Sequence, residues 1–487
     1  MKIIKIVINN FKTFANQVEI NTDKPIVCLV GENNTGKTTI FRALDFLRNG
    51  VAKDKTIDDY KNINHITDDV SVEITIQGKL TDAINNFSEP KYLDYILTNT
   101  NGIETMKLRR SSQAITITQN KKQINLDEKK ICIFNPTTNQ FENPIGFDKA
   151  IGSLFDNIFV WSDMNAGDVV DFGNTKILGK LLKEVSNQFE QSQDWIKFKE
   201  AHRAAFVTGE NSLSNQSRDL ISDLENSLSN FYGEAKIKLD FSVPDPASFV
   251  KLGNINIDDG IETLLSEKGS GMQRAFALSV IKVYANYLST HPDNTNLIKP
   301  LFFFIDEPEI SLHPKAQDML ISALNDISSR QQIFITTHSA YLLSMLQNKN
   351  TKILITQQNS VIPASDMTTF PFSPTLAEIG YFAFNIISSD FHNELYGYIE
   401  ERILQNSQNN RFDAWLQANC SISPTKSRIR VKRDNTCTTE QVTLMTYIRH
   451  AIHHPENTFN QPFTLFELEQ SIKEMLLIVN TPNFRAL

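Results

Sequence analysis

The chain has 487 residues, which is room for two or three domains with a large apolar core. Its 48 basic and 56 acidic residues give a formal net charge of −8, which argues against a surface that coats nucleic acid as a whole. The sequence shows no signal peptide, no C-x-x-C pair and no apolar stretch of about 18 residues, so we expect a cytoplasmic protein with reduced thiols and no membrane segment.

The first predicted element is a short apolar run that ends in a glycine-rich loop. Ile26–Val30 is typical of a buried parallel strand, and residues 31–38 fit the phosphate-loop pattern G-x-x-x-x-G-K-[ST]. Gly31 and Gly36 permit backbone angles at which successive N–H groups turn onto phosphate oxygens, and the following helix adds its positive end. The predicted nucleotide-binding residues of this loop are Asn33, Asn34, Thr35, Gly36, Lys37, Thr38 and Thr39.

Two side chains of this loop have specific predicted roles. The Lys37 ammonium would neutralise the β- and γ-phosphates of ATP, which makes it a candidate catalytic residue. The Thr38 hydroxyl would bind Mg²⁺. A chance match to the pattern is the alternative, but the strand, the glycines, the Lys-Thr pair and the helix all agree with a phosphate loop.

The next two regions show different periodicities. Apolar residues alternate between 70 and 147, which predicts a strand-rich region. Residues 177–235 show helical spacing with a Ser- and Asn-rich break, which predicts a compact helical insertion rather than a long coiled coil. We expect this insertion to act in oligomerisation or in docking a partner.

A second glycine-rich segment, residues 268–274, precedes a predicted helix with an apolar face. Ser270 stands at the predicted N-cap, so its hydroxyl and the free N–H groups behind it would form an anion site. Because the loop at 31–38 already binds the phosphates of its own chain, the natural ligand of Ser270, Gly271 and Gln273 is the γ-phosphate held by a second copy. This predicts a homodimer or a higher homo-oligomer. The alternative for this segment alone is a capped core helix.

An acidic pair follows the next predicted strand. Residues 301–305 are apolar and bulky, which is typical of a central parallel strand, and they run into Asp306 and Glu307. A buried carboxylate pair is costly unless it meets a cation, so we expect Asp306 to hold Mg²⁺ with Thr38. Glu307 would orient and deprotonate the attacking water, and His338, after the next strand, would sense the γ-phosphate. The alternatives are a helix-capping acid at Glu307 and a solvated loop residue at His338.

Two basic features mark the region beyond residue 350, which we predict to be mostly helical. Five cations lie close together at Lys426, Arg428, Arg430, Lys432 and Arg433. They indicate either a charged sheet edge or a site for nucleic-acid phosphate or an acidic partner surface. Both interpretations stay open at this point.

The second feature lies at the end of a predicted helix over Thr439–His454, which Pro455 would stop. Arg449 and His454 fit the R-x(4–6)-H pattern and so resemble the site of HEPN ribonucleases. In such a site an imidazole moves the 2′-hydroxyl proton and a guanidinium stabilises the charged transition state. The alternative is a helix end whose histidines bond free carbonyls.

As an ordered set, these segments resemble an ABC-type ATPase of the group that contains RecF, SMC and the overcoming-lysogenization-defect (OLD) proteins. The segments that carry the resemblance are residues 9–14, 31–38, 268–274, 307–314 and 336–339. Bacterial antiphage systems use such ATPases, including Septu- and PARIS-type subunits. The resemblance implies an α/β fold in which an ABC-type P-loop ATPase head has an antiparallel β subdomain, a helical insertion and a mostly helical C-terminal domain.

The resemblance also implies a domain plan and a function. The plan is a first ATPase lobe at 1–175, the helical insertion at 176–240, a second ATPase lobe at 241–350 and an effector or partner-docking domain at 351–487. With ATP and Mg²⁺, the oligomer would gate a separate nuclease effector, with nucleic acid as a further partner. The alternatives are an ATP-gated ribonuclease that uses Arg449 and His454, and a RecF-like DNA-repair ATPase.

The sequence departs from the family pattern at two points. OLD nucleases need a D-x-D pair after the ATPase, and no such pair follows His338, so we do not expect an OLD-type nuclease within this chain. The glutamine that contacts Mg²⁺ in many relatives has three candidates, Gln77, Gln140 and Gln188, and the sequence does not choose among them.

Overall fold

The computed structural model describes most of the chain. The described residues are 1–119, 122–126, 130–162, 178–179, 182, 186, 189–231, 233, 235–239, 241–250, 254–290, 300–310, 312, 314–347, 350–406, 411–431 and 436–486. They belong to two compact units. One unit combines Met1–Phe159, Lys299–Glu309 and Ser328–Leu487, and the other combines Val160–Ile298 and Ile310–Ile327. The four-part domain plan stays a prediction.

The strands and helices are numbered here in chain order. The strands are β1 (Lys2–Asn9), β2 (Val18–Asn21), β3 (Ile26–Val30), β4 (Ser71–Gln77), β5 (Leu97–Thr98), β6 (Glu104–Ser111), β7 (Ile115–Gln119), β8 (Lys122–Leu126), β9 (Cys132–Asn135), β10 (Gln140–Glu142), β11 (Asp156–Val160), β12 (Asn256–Asp258), β13 (Glu262–Leu264), β14 (Leu301–Asp306), β15 (Gln332–Thr336), β16 (Thr351–Gln357), β17 (Ser360–Pro363), β18 (Lys426–Val431) and β19 (Cys437–Val442).

The α-helices are α1 (Lys37–Asn49), α2 (Leu80–Phe87), α3 (Phe147–Leu154), α4 (Gln193–Arg203), α5 (Leu213–Gln216), α6 (Arg218–Phe231), α7 (Pro246–Val250), α8 (Ser270–Thr290), α9 (Pro314–Ser328), α10 (Ala340–Leu346), α11 (Leu376–Phe384), α12 (Ser389–Asn406), α13 (Phe412–Cys420), α14 (Leu444–His453), α15 (Leu465–Val479) and α16 (Pro482–Arg485). Short 3₁₀ turns occur at Ile57–Tyr60, Pro90–Tyr95, Leu265–Glu267 and Ala364–Asp366, and a π-helical turn at Ala204–Thr208. Within the described part of the chain, no helix is both long and apolar enough to cross a membrane.

A six-stranded sheet with the order β11-β14-β15-β3-β16-β17 positions the predicted nucleotide site. Strand β15 is parallel to both β14 and β3, and β3 is parallel to β16, whereas β17 is antiparallel to β16. Every residue of β3 and β14 is buried, as expected when helices cover both faces of a parallel sheet. The carboxyl ends of β3, β14 and β15 therefore bring residues 31–38, Asp306 and His338 to one edge of the sheet.

A second, antiparallel sheet has the order β10-β9-β6-β4-β1-β2, with β5 paired to β6. In β4 the side chains of Val72, Ile74 and Ile76 are buried, so the apolar alternation faces a core. Strands β7 and β8 form a separate hairpin. The parallel and antiparallel sheets confirm the predicted α/β head with its antiparallel β subdomain.

The C-terminal region is mostly helical, as predicted, and has its own apolar core. Helices α12, α13, α14 and α15 supply most of this core. Its fully buried members include Phe391, Leu395, Ile399, Leu416, Met445, Ile448, Ile472 and Met475.

The predicted helix over Thr439–His454 is wrong in its first part. Strand β19 occupies the start of that range because β18 offers it a complete antiparallel ladder. The helix α14 begins at Leu444, where the Thr443 side chain accepts a hydrogen bond from the backbone N–H of Thr446. A threonine cap of this kind sets the start of a helix after a strand.

His392 is a titratable group that is buried in the C-terminal region. Its side chain lies in α12 and is 0% exposed, with Nε2 at 3.0 Å from the Ser471 hydroxyl. Burial lowers the pKa of His392 to about 4, and the nearby charge of Arg449 acts in the same direction. The imidazole is therefore neutral at neutral pH.

We predict that His392 makes the folded chain less stable as the pH falls below about 6.5, the usual histidine pKa. In the window from about pH 6.5 down to about pH 4, the unfolded histidine binds a proton that the folded one does not. Guanidinium unfolding at about pH 7 and about pH 5 should show a loss of roughly 2 kcal/mol from this group.

The matched variants are His392→Gln, which removes the titration, and His65→Gln, which alters a partly exposed histidine. The first should weaken the pH dependence of unfolding, and the second should leave it as in the wild type. Equal pH dependence in the wild type and His392→Gln would contradict the prediction.

Candidate functional site

The phosphate loop at 31–38 connects β3 to α1 through two tight glycine positions. Gly36 adopts a φ of 107°, in the left-handed region. A Cβ atom on Gly36 would lie 2.6 Å from the Phe14 ring, and one on Gly31 would lie 2.5 Å from the Thr356 carbonyl oxygen. Since real Cβ atoms do not approach other atoms so closely, both positions require glycine. The neighbouring chain packs directly against the loop and sets its shape.

Lys37 lies inside this loop and is 5% exposed. Its ammonium donates hydrogen bonds to the carbonyl oxygens of Gly31 at 2.9 Å and Glu32 at 2.7 Å. Burial lowers the pKa of Lys37, whereas Glu307 and Asp306 act in the opposite direction. The loop thus holds a partly desolvated cation between its own backbone and two carboxylates, where a phosphate would find a strong electrostatic partner.

The predicted metal ligands Thr38 and Asp306 lie side by side. The Thr38 hydroxyl oxygen is 3.3 Å from both carboxylate oxygens of Asp306. Asp306 is 2% exposed and also accepts a hydrogen bond of 2.6 Å from the Thr336 hydroxyl. Hydroxyl and carboxylate oxygens are hard donors, and Mg²⁺ is commonly held by one or two carboxylates together with phosphate oxygens. The donor set of Thr38 and Asp306 therefore fits Mg²⁺.

Glu307 and His338 form a second pair at the same sheet edge. Glu307 has a φ of 47°, a backbone conformation that costs a non-glycine residue on the order of 1–3 kcal/mol. Its N–H donates to the Thr336 hydroxyl at 2.9 Å. Its Oε1 lies 3.3 Å from Nε2 of His338, without the alignment of a hydrogen bond. Strain of this kind is concentrated at functional sites, and here it presents the Glu307 carboxylate to the imidazole.

The electrostatics of His338 reflect its neighbours. Burial lowers the pKa of His338, and the positive charge of Lys37 lowers it further. Glu307, Glu309 and Asp306 oppose this effect without overcoming it. The imidazole is therefore mostly neutral at neutral pH, when it has both a donor and an acceptor nitrogen.

Glu309 organises the turn that carries His338, a role that the sequence did not assign. Its Oε1 accepts hydrogen bonds from the Thr337 hydroxyl at 2.6 Å, the His338 N–H at 2.9 Å and the Ser339 N–H at 3.2 Å. The only signal in the sequence was a second carboxylate two residues after Glu307. One partly buried side chain thus fixes the backbone on both sides of His338.

Thr356 on β16 is a second supporting residue that the sequence did not indicate. Its hydroxyl donates to the Val30 carbonyl at 3.0 Å and lies 2.7 Å from the Thr35 hydroxyl, which itself donates to the Glu32 carbonyl at 2.9 Å. The two hydroxyl hydrogens are shared among these three contacts. Thr356 is 1% exposed, so it tethers the phosphate loop from the neighbouring strand.

The second glycine-rich segment lies in the other compact unit and begins helix α8. The Gly269 carbonyl accepts hydrogen bonds from the N–H groups of Met272 and Gln273, so Gly269 occupies the N-cap position predicted for Ser270. The N-cap prediction is thus wrong by one residue, because Gly269 adopts the cap conformation itself. Ser270 is exposed and Gly271 is partly exposed. The contact of Ser270, Gly271 and Gln273 with a second copy's γ-phosphate stays a prediction.

The Gln273 side chain has intramolecular partners. Its amide group donates to the carbonyl oxygens of Ser266 at 3.1 Å and Lys268 at 2.7 Å. These bonds fold the segment before α8 onto the first turn of that helix.

Of the candidate Mg²⁺-contacting glutamines, Gln77 ends β4 and Gln140 begins β10, while Gln188 lies outside the described residues.

The predicted ribonuclease pair has separate partners. The Arg449 guanidinium contacts the His453 imidazole and lies 5.6 Å over the Tyr396 ring. His454 pairs through Nδ1 with Glu456 at 3.0 Å. These contacts are those of a helix end and a packed surface, and the catalytic role of Arg449 and His454 stays a prediction.

A pocket of about 460 Å³ lies at the same end of α14, with Arg428, His450 and His454 in its lining. Burial lowers the pKa of His450 to about 4, and Arg428 and His454 contribute further. His450 is therefore mostly neutral at neutral pH and adds little positive charge to the pocket.

The basic run of the C-terminal region is largely paired. Arg428 and Arg430 each lie 3.7 Å from a Glu440 oxygen across the β18–β19 hairpin, and Lys426 pairs with Glu467. Lys432 and Arg433 lie outside the described residues. The described pairs favour the charged sheet edge over a phosphate-binding surface.

Comparisons with known proteins agree with the nucleotide site. The profile of the AAA ATPase domain family matches residues 1–343. Old nuclease from Escherichia phage P2 is 26% identical over 378 residues, which cover 74% of this chain and 60% of that protein. Endonuclease GajA from Bacillus cereus (strain HuB5-5) is 24% identical over 388 residues, which cover 70% of this chain and 56% of GajA.

A solved structure, the SMC head bound to the C-winged helix domain of ScpA, aligns with a TM-score of 0.41 and 15% identity over 74% of this chain and 97% of that chain. The match to Old nuclease confirms the resemblance to OLD proteins that the motifs indicated. The chain spans 60% and 56% of the length of the two curated relatives, which is less than two thirds of either.

We predict that Thr356→Val weakens ATP binding by loosening the phosphate loop. Valine keeps the shape of threonine but removes the hydroxyl that contacts Val30 and Thr35. A hydrogen bond contributes roughly 0.5–1.5 kcal/mol, so the dissociation constant for ATP should rise up to about tenfold. Titration with a fluorescent ATP analogue measures this change.

The control is Thr351→Val, at the other end of the same strand. It should bind ATP like the wild type. Wild-type affinity in Thr356→Val would show that the loop keeps its shape without this tether.

Proposed function

This chain belongs to the AAA ATPase domain family and is an ATPase, and we propose that it hydrolyses ATP between two copies of itself and thereby gates a nuclease effector in antiphage defence. The observation that carries the proposal is the meeting of two pairs at one sheet edge. Thr38 contacts Asp306, and Glu307 lies beside His338. One pair suits a metal ion and the other suits a water and a phosphate.

In this proposal the phosphate loop binds the triphosphate of ATP. The backbone N–H groups of residues 31–38 and the positive end of α1 face the phosphate oxygens, and Lys37 exchanges its carbonyl partners for the β- and γ-phosphates. Thr38 and Asp306 would hold Mg²⁺. That ion, when bound, neutralises charge on the phosphates.

Glu307 and His338 act at the γ-phosphate. The Glu307 carboxylate accepts a proton from water and orients the water for in-line attack on phosphorus. The neutral His338 imidazole donates a hydrogen bond to a γ-phosphate oxygen, and Glu309 holds the backbone that carries it. The bond between the γ-phosphorus and the bridging oxygen breaks, and ADP and phosphate leave.

The second copy contributes the segment that begins α8. Ser270 is exposed at the first turn of that helix, where free N–H groups and the helix dipole favour an anion. The phosphate loop of the same chain already provides such a site at the start of α1. A γ-phosphate held by one copy and capped by Ser270 and Gly271 of the other would therefore join two chains only while ATP is intact.

The relatives support a link to a nuclease. Two proteins whose names are Old nuclease and Endonuclease GajA share about a quarter of their aligned residues with this chain. No D-x-D pair occurs among residues 339–487, so in this proposal the catalytic acids of the nuclease that the ATP-bound oligomer controls lie outside these residues.

We predict that Glu307→Gln binds ATP normally but hydrolyses it at least roughly a hundredfold more slowly, because the amide cannot accept the water proton. Phosphate release measures turnover, and a fluorescent ATP analogue measures binding. The control Glu89→Gln neutralises an exposed carboxylate elsewhere on the chain and should keep wild-type turnover. Near-normal turnover in Glu307→Gln would mean that another residue positions the water.

We also predict that two inactive variants complement each other. A mixture of Lys37→Ala and Ser270→Arg chains contains dimers with one intact composite site, so part of the ATPase activity should return. Each variant alone is the control, and wild-type specific activity should rise with protein concentration. No recovery in a mixture whose chains are folded and associated would contradict the shared site.

A further inference from the structure

One pocket joins the phosphate loop to the C-terminal region. Its volume is about 500 Å³, and its lining residues are Glu32, Asn33, His338, Phe384 and Ile386. The first three belong to the predicted ATPase site, whereas Phe384 and Ile386 lie at the end of α11. The pocket thus brings an aromatic ring from beyond residue 350 to the histidine that faces the γ-phosphate in the proposed function.

The Phe384 ring contacts the His338 imidazole directly. The two ring centroids lie 5.9 Å apart with the planes inclined by 42°. On its other side, the imidazole approaches Glu307, with Nε2 at 3.3 Å from Oε1. Glu309 fixes the His338 backbone but does not restrict the side-chain torsion. Glu307 and Phe384 therefore both lie beside the imidazole.

The backbone around Phe384 is fixed at both ends of α11. At the start, Thr375 and Glu378 form a reciprocal capping box, and Glu378 is fully buried. At the end, Asn385 adopts a left-handed φ of 52°, and the N–H of Ile386 bonds the Gly380 carbonyl at 3.1 Å. Such a C-terminal motif holds the last helical residue in place.

Helix α11 is also anchored in the C-terminal core. Tyr381 packs against Phe391 with ring centroids 5.0 Å apart, and the Thr375 hydroxyl donates to Glu394 of α12 at 2.5 Å. The helix after His338 joins the same assembly, because the Gln347 amide donates to the Pro374 carbonyl at 2.8 Å. Helix α11 therefore contacts His338 through Phe384 and the C-terminal core through Tyr381 and Thr375.

We propose that Phe384 is a positioning residue that holds the His338 imidazole beside Glu307, so that the C-terminal core is part of the ATPase site. This inference rests on the proposed function, in which His338 senses the γ-phosphate. Loss of this ring contact frees the imidazole, which lowers the rate of hydrolysis.

Phe384→Ala tests the proposal through the split between kcat and KM. An aromatic pair contributes roughly 0.5–1.5 kcal/mol beyond its buried area, so kcat should fall up to about tenfold. The KM for ATP should stay within about twofold, because in this proposal Phe384 acts on His338 and not on Lys37 or Thr38. Phe384→Tyr keeps the ring and should keep the wild-type kcat.

The matched control is Phe382→Ala, two residues earlier in the same helix. Phe382 is 37% exposed and its ring packs on Tyr381 at 5.2 Å, not on His338. This variant should keep the wild-type kcat and should melt at the same temperature as Phe384→Ala. An equal loss of kcat in both alanine variants would show that α11 has only a structural role.

A double-mutant cycle separates this proposal from the function it rests on. If His338→Ala hydrolyses ATP as fast as the wild type, the sensing role of His338 is wrong. If His338→Ala is slow and Phe384→Ala slows the wild type and the His338→Ala chain by the same factor, Phe384 acts independently of His338 and only the positioning proposal is wrong. The expected result is that Phe384→Ala slows the wild type but leaves His338→Ala unchanged.

Discussion

Burial of the Asp306 carboxylate is the constraint on which the rest of the site depends. Asp306 is 2% exposed at the end of a strand whose residues are all buried, where an unpaired charge would be strongly unfavourable. The hydroxyls of Thr336 and Thr38 and the nearby Lys37 ammonium offset that cost. Thr336 lies opposite Asp306 in the β14–β15 ladder, so the register of the parallel sheet places the Thr336 hydroxyl where it donates to the carboxylate. The fold and the proposed metal site thus require each other.

In the proposed function, the residues next to this carboxylate respond to the bound nucleotide. Glu307 holds a strained backbone conformation, and its side chain approaches an imidazole that burial keeps mostly neutral. Glu309 fixes the backbone of that histidine, and the Phe384 ring of α11 contacts its imidazole. In the proposed function, hydrolysis removes the phosphate that His338 faces, and the ring contact with Phe384 places this change of charge beside α11 of the C-terminal region.

The sequence by itself determined the parts of this protein whose signals are local. Residues 26–38 contain a buried strand, two constrained glycines and the Lys-Thr pair in one continuous stretch, and the structure forms them as predicted. Residues 301–305 before Asp306 also form the strand that was predicted, because a strand buried on both faces needs a continuous apolar segment. Motif order then indicated the OLD-like ATPase family, and the match over residues 1–343 agrees.

Only the tertiary structure decided the contacts between distant segments. Thr356 tethers the phosphate loop and Phe384 covers His338, yet neither lies in a recognisable motif, because what defines them is a partner brought near by the sheet and by α11. Residues 439–442 have an apolar spacing compatible with a helix, but β18 draws them into a hairpin. The separation of Arg449 from His454 is likewise set by packing, since each side chain finds a different neighbour. Local patterns specify elements, whereas non-local hydrogen bonds and ring contacts choose which elements meet.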